Sequence, residues 1–226
     1  CTRACRYCNV KTGRPVEFDL LEPTRVAKTV KDMNLSYAVI TSVDRDDLID
    51  GGSGAFAMTI KQIKKLSPDC KVEVLIPDFN GNRSALETVL SAQPQVLNHN
   101  IETTRRVFKI VRPRGDYDQS LELIDRSKQM APLIPTKSGI MVGLGETEEE
   151  IIETMKNLRT VRCDLLTIGQ YLRPSKKHHE IDRFYSPKEF QKFEEIGLEL
   201  GFKHVASGPL VRSSYHADQQ HKTVEA

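Results

Sequence analysis

The sequence has no excess of charge of either sign: its 33 basic and 31 acidic side chains nearly cancel over 226 residues. No strong field is left to draw in a nucleic acid or an anionic surface. It also lacks any apolar run near the roughly 20 residues needed to cross a bilayer, so no membrane partner is expected. There is no low-complexity tract, no Pro/Gly/Ser-rich linker and no repeat beyond a strand-helix rhythm. One domain is therefore expected, because a single α/β barrel commonly fills about 200 to 250 residues. Cysteine is scarce and odd in number: five residues, three of them within the first eight. That crowding suits metal ligation in a reducing compartment, and so a cytoplasmic protein, better than a disulfide framework.

What is present begins with Cys1-Thr-Arg-Ala-Cys5-Arg-Tyr-Cys8, a C-x3-C-x2-C run with an aromatic residue before its last cysteine. Three thiolates on so short a loop can converge on one small inorganic cluster, leaving one iron of a 4Fe-4S cubane without a protein ligand. A structural zinc site usually wants four ligands and shows paired C-x2-C units. No second unit exists here; Cys70 and Cys163 are isolated, and His178 and His179 read as solvated loop residues.

Apolar, β-rich runs recur at 37–43, 72–76, 95–97, 138–142, 165–168 and 204–206, with helical spacing between most of them. Val26, Val30 and Met33 fall at i, i+4, i+7, as do Ile151, Met155 and Leu158, so each trio is expected on one buried helix face. Thr147 with Glu150, and Ser186 with Glu189 and Pro187, form capping boxes at two helix starts, and Gly201 closes the second helix. Alternation of this kind predicts parallel βαβ units with ligands gathered beyond the carboxyl ends of the strands. Residues placed there include Asp44, Asp78, His99, Asn100, Gly143 to Glu146 and Tyr171 to Arg173. The polar stretch 218–226 reads as a frayed tail behind a core of 1–217.

The cysteine run resembles the signature of the radical S-adenosylmethionine superfamily. That resemblance implies a partial (β/α)6 barrel, a 4Fe-4S cluster on Cys1, Cys5 and Cys8, and cleavage of S-adenosylmethionine to a 5'-deoxyadenosyl radical. Long segments further resemble the lipoyl synthases: ITSVDRDDLIDGG at 40–52, NHNIET at 98–103, VRPRGDY at 111–117, PTKSGIMVGLGETEEEI at 135–151, GQYLRPS at 169–175 and GPLVRSSYHA at 208–217. The implied reaction inserts two sulfur atoms at C6 and C8 of a protein-bound octanoyl group, as a sulfurtransferase. The implied partners are octanoylated lipoyl carrier domains, of 2-oxoacid dehydrogenase E2 subunits and the glycine cleavage H protein, and a reducing electron donor.

Ser42, Asp44, Asn98, Asn100, Glu102, Lys137, Gly143, Tyr171 and Arg173 are the candidate cofactor contacts. Amides and carboxylates at strand ends suit ribose hydroxyls and an α-amino group. Glycines before a capped helix let a polar ligand approach the backbone. Each also has a plain structural reading, as turn cap, strand-to-helix turn or core. Lys137, near the start of a strand run, is expected away from the mouth unless that strand ends early. In the lipoyl synthases a serine of the RSSY segment ligates an auxiliary 4Fe-4S cluster; Ser214 is the candidate. The other ligands of that cluster belong to a C-x4-C-x5-C motif upstream of the radical motif. The sequence starts at Cys1, so a longer parent is expected, with a first barrel strand and that motif ahead of this chain. Sulfur insertion is then expected to be absent from the 226 residues alone. The rival readings are another radical sulfur-inserting enzyme of the biotin synthase kind and a non-catalytic metal-binding module.

Overall fold

Each of the six apolar runs becomes a strand in the computed structural model, which describes residues 1–15 and 18–225. In chain order the elements are α1 (Glu22–Asp32), β1 (Tyr37–Thr41), α2 (Ser53–Leu66), β2 (Lys71–Leu75), α3 (Arg83–Ser91) and β3 (Val96–Asn98). There follow α4 (Arg105–Val111), α5 (Tyr117–Met130), β4 (Thr136–Val142), α6 (Glu148–Thr160), β5 (Leu165–Gln170), α7 (Pro187–Glu199), β6 (His204–Gly208) and α8 (Ala217–Glu225). The strands form one sheet in sequence order, every neighbouring pair parallel. The expected α/β architecture of a partial barrel is thus what the chain builds. No helix among the described residues is long and apolar enough to cross a membrane.

The pleat sorts the side chains, since successive residues of a strand point to opposite faces. Ala38, Val72, Val74 and Leu97 pack outward on Val30, Phe56, Ile60 and Leu86 of the flanking helices. Ile140, Val142, Leu166, Ile168 and Val205 do the same against Ile151, Met155, Leu158, Phe190 and Phe193. The trio on α6 is fully buried, and each such side chain contributes about 1.5 to 3 kcal/mol. Both capping boxes form, at Thr147 and Ser186, and Gly201 sits at φ +92° behind α7.

Two expectations are corrected. The trio read on α1 is not its buried face: Pro23, Ala27 and Val30 are buried, whereas Met33 lies past the helix end and is 62% exposed. Small Ala27 lets α1 pack closely on α2, and Asn34 at φ +50° turns the chain away. The stretch read as a frayed tail is helical through Glu225, with Gln220 and His221 buried; Ala226 lies outside the described residues. α8 packs against both β1 and β6, where the sheet is open, and the His221 ring lies 5.8 Å from that of Tyr37.

The inward faces of the strands are polar near the base. Glu73 of β2 accepts from the Tyr37 hydroxyl at 2.9 Å and the Asn98 amide at 3.0 Å, and lies 3.0 Å from Lys137 Nζ. Glu73 and Lys137 are both completely buried.

Candidate functional site

The cysteine loop has no regular structure of its own and is tied down from three sides. Thr2 N–H donates to Asp44 O at 3.1 Å, and its hydroxyl to Asp46 at 2.7 Å, just beyond β1. Arg6 N–H donates to Val111 O at 2.7 Å, at the end of α4. On the third side His179 N–H donates to Arg6 O at 2.8 Å, and His178 Nε2 lies 3.1 Å from Cys8 O. The tandem histidines, read as solvated, therefore hold the loop. Within it, Cys8 N–H donates to Cys5 O at 3.2 Å.

Arg3, between the first two cysteines, is 3% exposed and anchors the loop most firmly. Its Nε donates to Asp46 Oδ2 at 2.6 Å and its Nη2 to Asp46 Oδ1 at 2.9 Å, a two-pronged pair. Nη2 also donates to Asp78 at 2.8 Å and Asn80 at 2.7 Å, and Nη1 to Arg114 O. One guanidinium thus joins the cysteine loop to the ends of β1 and β2 and to the α4–α5 turn.

The three cysteines line one cavity of about 170 Å³ together with Tyr7, Asp44, Glu102 and Arg112. Burial pushes the Cys5 thiol up, against a hydrogen bond from Tyr7 and the charge of Arg112. Burial also raises the Tyr7 phenol well above its ordinary range, with the Glu102 carboxylate acting in the same direction. Glu102 is pushed up to about 7, again by burial first, while Arg112 and a hydrogen bond to Asn100 oppose it. Glu102 holds φ +71°, strained for a non-glycine, because its backbone is clamped on β4: its N–H donates to Gly139 O and its carbonyl accepts from Met141 N–H. Asp44 is raised by burial, its Oδ2 lies 3.7 Å from Cys1 Sγ, and Oδ1 has no hydrogen-bond partner among the described residues.

This donor set fits a cubane. All three thiols are free and on one cavity, and among the described residues no three His, Cys, Asp or Glu side chains are grouped closely enough for a single metal ion. A 4Fe-4S cluster takes one thiolate per iron and so spreads its ligands, whereas a structural zinc site closes four around one ion. Cys70 and Cys163 are buried in the two halves of the core.

The remaining candidates divide by position. Ser42 and Asp44 line the cysteine cavity, as does Glu102; the Ser42 hydroxyl is exposed and donates to Val43 O. Asn100 is half-buried at the end of β3, with its amide on Ser213. Asn98 and Lys137 lie lower, in the buried network around Glu73, as expected from the place of Lys137 in its strand. Gly143 N–H is taken by Glu146 at 2.6 Å, and a Cβ there would meet Gln170 Nε2 at 2.2 Å. Tyr171 is core, packed with Val107, Val111 and Leu144, its hydroxyl donating to His179 O at 2.9 Å. Arg173 orders its own loop through His178 O and Lys176 O. Ser214 is exposed just ahead of α8.

Two functional side chains had no role assigned from the sequence, Arg3 and Arg112. For Arg3 a signal was available in the acid-rich Asp44-Arg-Asp-Asp47 at a strand end, where a buried carboxylate needs a cation opposite it; for Arg112, whose paired carboxylate is Asp78, there was none.

A family model of the Radical SAM superfamily matches residues 1–158. The chain is 59% identical over 218 residues to the lipoyl synthase of Caldanaerobacter subterraneus subsp. tengcongensis, covering 96% of this chain and 76% of that one. It is 56% identical to the lipoyl synthase of Rubrobacter xylanophilus, covering 97% and 68%. Among solved structures, coproporphyrinogen III oxidase from Escherichia coli superposes with a TM-score of 0.66 at 13% identity, over 89% of this chain and 51% of that one. Streptococcus suis SuiB bound to S-adenosylmethionine does so with a TM-score of 0.65 at 13% identity, over 95% and 49%. At such identities these two speak for the fold alone.

Proposed function

The chain belongs to the radical SAM superfamily and within it to the lipoyl synthases, and on that footing we propose that Cys1, Cys5 and Cys8 hold the 4Fe-4S cluster that the family implies. The lipoyl synthase relatives make it an enzyme. The observation that carries the residue assignment is the convergence of three free cysteines with Asp44, Glu102 and Arg112 on one cavity.

When bound, the cluster and S-adenosylmethionine supply a carbon radical able to remove hydrogen from unactivated C–H bonds, which have no acidic proton for a base to take. This chain's own residues bind, orient and shield. Ser42, Asp44, Asn100 and Glu102 are assigned to S-adenosylmethionine, because Ser42, Asp44 and Glu102 line the cavity of the cysteines, Asn100 is hydrogen-bonded to Glu102, and such oxygens and amides suit its amino group and ribose hydroxyls. Asn98 and Lys137 close the floor of the barrel, and Gly143, Tyr171 and Arg173 form its wall near His178 and His179. The substrate is an octanoyl chain on a carrier-domain lysine, of an E2 subunit or an H protein, and the reaction needs a reducing electron donor, in the cytoplasm. In the whole protein Ser214 serves as an oxygen ligand of an auxiliary 4Fe-4S cluster, the source of the inserted sulfur. No C-x4-C-x5-C motif lies within these 226 residues.

Anaerobic reconstitution with iron and sulfide tests this directly. About one cubane should load, as expected for three thiolates on a loop. Alanine at Cys1, Cys5 or Cys8 should abolish loading, while Cys70→Ala and Cys163→Ala should not. S-adenosylmethionine should change the reduced cluster's electron paramagnetic resonance spectrum and be cleaved, without lipoyl product from this chain alone. A cluster lost through Cys70→Ala, or an unchanged spectrum at saturating cofactor, would overturn the assignment.

A further inference from the structure

Two buried arginines lie close to Asp78, and only one of them has its donors met by hydrogen bonds. Arg3 is engaged by Asp46, Asp78, Asn80 and a carbonyl, as described above. Arg112 is 5% exposed, and its nearest carboxylate oxygen is Asp78 Oδ2, 3.9 Å from Nη2. Among the described residues, Nε and Nη1 of Arg112 have no hydrogen-bond partner. Buried donors left unmet are costly and rare, so a partner for them is to be sought in whatever fills the adjoining space.

The space they share is the cysteine cavity, which Arg112 lines beside Cys5. The side chain is held there and cannot simply swing out. Its guanidinium carbon lies 5.4 Å over the Phe108 ring, and its backbone N–H donates to Phe108 O at 2.8 Å. A Cβ on Gly115 would fall 2.9 Å from its Cγ, Cδ and Nε, so the absence of that side chain makes room for this rotamer. A preorganised cation with two unpartnered guanidinium nitrogens therefore lines the cavity of the thiols.

Building on the cluster assignment above, we propose that Arg112 is the electrostatic partner of the iron–sulfur cluster, donating through Nε and Nη1 to its sulfur on the Cys5 side and favouring its reduced state. Three thiolates around a cubane carry net negative charge, which grows by one when the cluster accepts an electron. A fixed positive charge in a poorly solvated cavity stabilises the reduced form more than the oxidised one. Hydrogen bonds to the sulfurs act in the same direction. Arg3 cannot take this part, because its donors are consumed by carboxylates and amide oxygens.

A redox titration of the reconstituted chain, followed by electron paramagnetic resonance, tests the proposal. At the potential where the parent cluster is half reduced, Arg112→Gln should show at least a tenfold smaller ratio of reduced to oxidised cluster, which for one electron is about 59 mV. Arg112→Lys keeps the charge but loses the fork, and should fall between the two. Independently, the parent labelled with [15N]arginine should show a 15N coupling to the reduced cluster in pulsed resonance, and Arg112→Lys should lose it. Should Arg112→Gln fail to retain a cluster, the labelled parent decides the matter alone. Equal midpoint potentials in loaded parent and loaded Arg112→Gln, or no 15N coupling in the parent, would overturn the proposal. So would an unchanged potential with weakened S-adenosylmethionine binding, which would give the free donors to that cofactor's carboxylate instead. A parent that takes up no cluster overturns both this and the assignment on which it rests, a result distinct from loaded samples titrating together.

Discussion

Asn100 and Ser213 are joined side chain to side chain across the mouth of the barrel. The Asn100 amide donates to Ser213 Oγ at 2.9 Å, and that hydroxyl lies 3.2 Å from Asn100 Oδ1. The two serines of the RSSY segment are therefore not equivalent, since Ser214 is exposed. In the 226-residue chain Ser213→Ala should cost about 1 kcal/mol and lower Tm by about 2 to 4 °C, whereas Ser214→Ala should stay within about 0.5 kcal/mol of the parent. Thermal melts of the two variants, compared side by side, check the distinction.

Arg3→Ala should be more damaging than any surface charge change, because it strands buried Asp78 and frees Asp46. Removing one partner of a buried, hydrogen-bonded ion pair costs about 3 to 5 kcal/mol. Iron and sulfide per chain after gel filtration should fall sharply in Arg3→Ala, with Arg3→Lys retaining part, since an ammonium cannot reproduce the two-pronged contact with Asp46. Unchanged iron content in Arg3→Ala would mean that the loop holds its shape without this anchor.

His99 gives a pH signature. Burial, reinforced by the charge of Arg112, holds its pKa down at about 4 against an ordinary 6.5. Between those values the unfolded chain binds the proton and the folded chain does not, so this residue makes stability rise with pH from about 4 to 6.5. Glu102, raised to about 7 from 4.5, has the opposite slope, because there the folded chain binds the extra proton. The two partly cancel in the parent. His99→Gln should remove the rising contribution, so the stability difference between parent and variant, from urea unfolding of the metal-free chain, should grow in the parent's favour as pH climbs from 4 to 6.5. A difference flat across that range would show that His99 titrates normally.

The buried pair at the base of the barrel predicts strong coupling. Lys137→Met leaves Glu73 with Tyr37 and Asn98 but no counter-charge, and should cost about 3 to 5 kcal/mol. Glu73→Gln strands Lys137 in the same way. The double variant should be much less destabilised than the sum of the two, by about 0.5 to 3 kcal/mol of interaction, as a double-mutant cycle in urea would measure.

The strand runs, both capping boxes and the cysteine loop were legible because each rests on local chemistry: β-rich alternation, a hydroxyl three residues before a glutamate, and thiols close in sequence. The buried face of α1 was not, since counting large apolar residues favours Met33 over Ala27, although the smaller side chain is the one buried where α1 packs on α2. α8 was misread for a related reason. Gln220 and His221 look like solvent-facing residues, and only contact with distant strands makes them interior. Arg3 and Arg112 stand beside obvious motifs, yet their roles depend on carboxylates and thiols some 40 to 110 positions away, a relation that no local spacing records.

Because α8 rests on both β1 and β6, the two edge strands of the described sheet are bridged by residues some 180 positions after Tyr37. During synthesis at about 5 to 20 residues per second, strand edges that α8 will cover stay open for many seconds after β1 has emerged from the ribosome. Unpaired edges are templates for pairing with other chains. The 226-residue chain cut back before residue 217 would thus lose the cover of both edge strands of the described sheet at once, and this is the form in which a holdase chaperone has most to shelter.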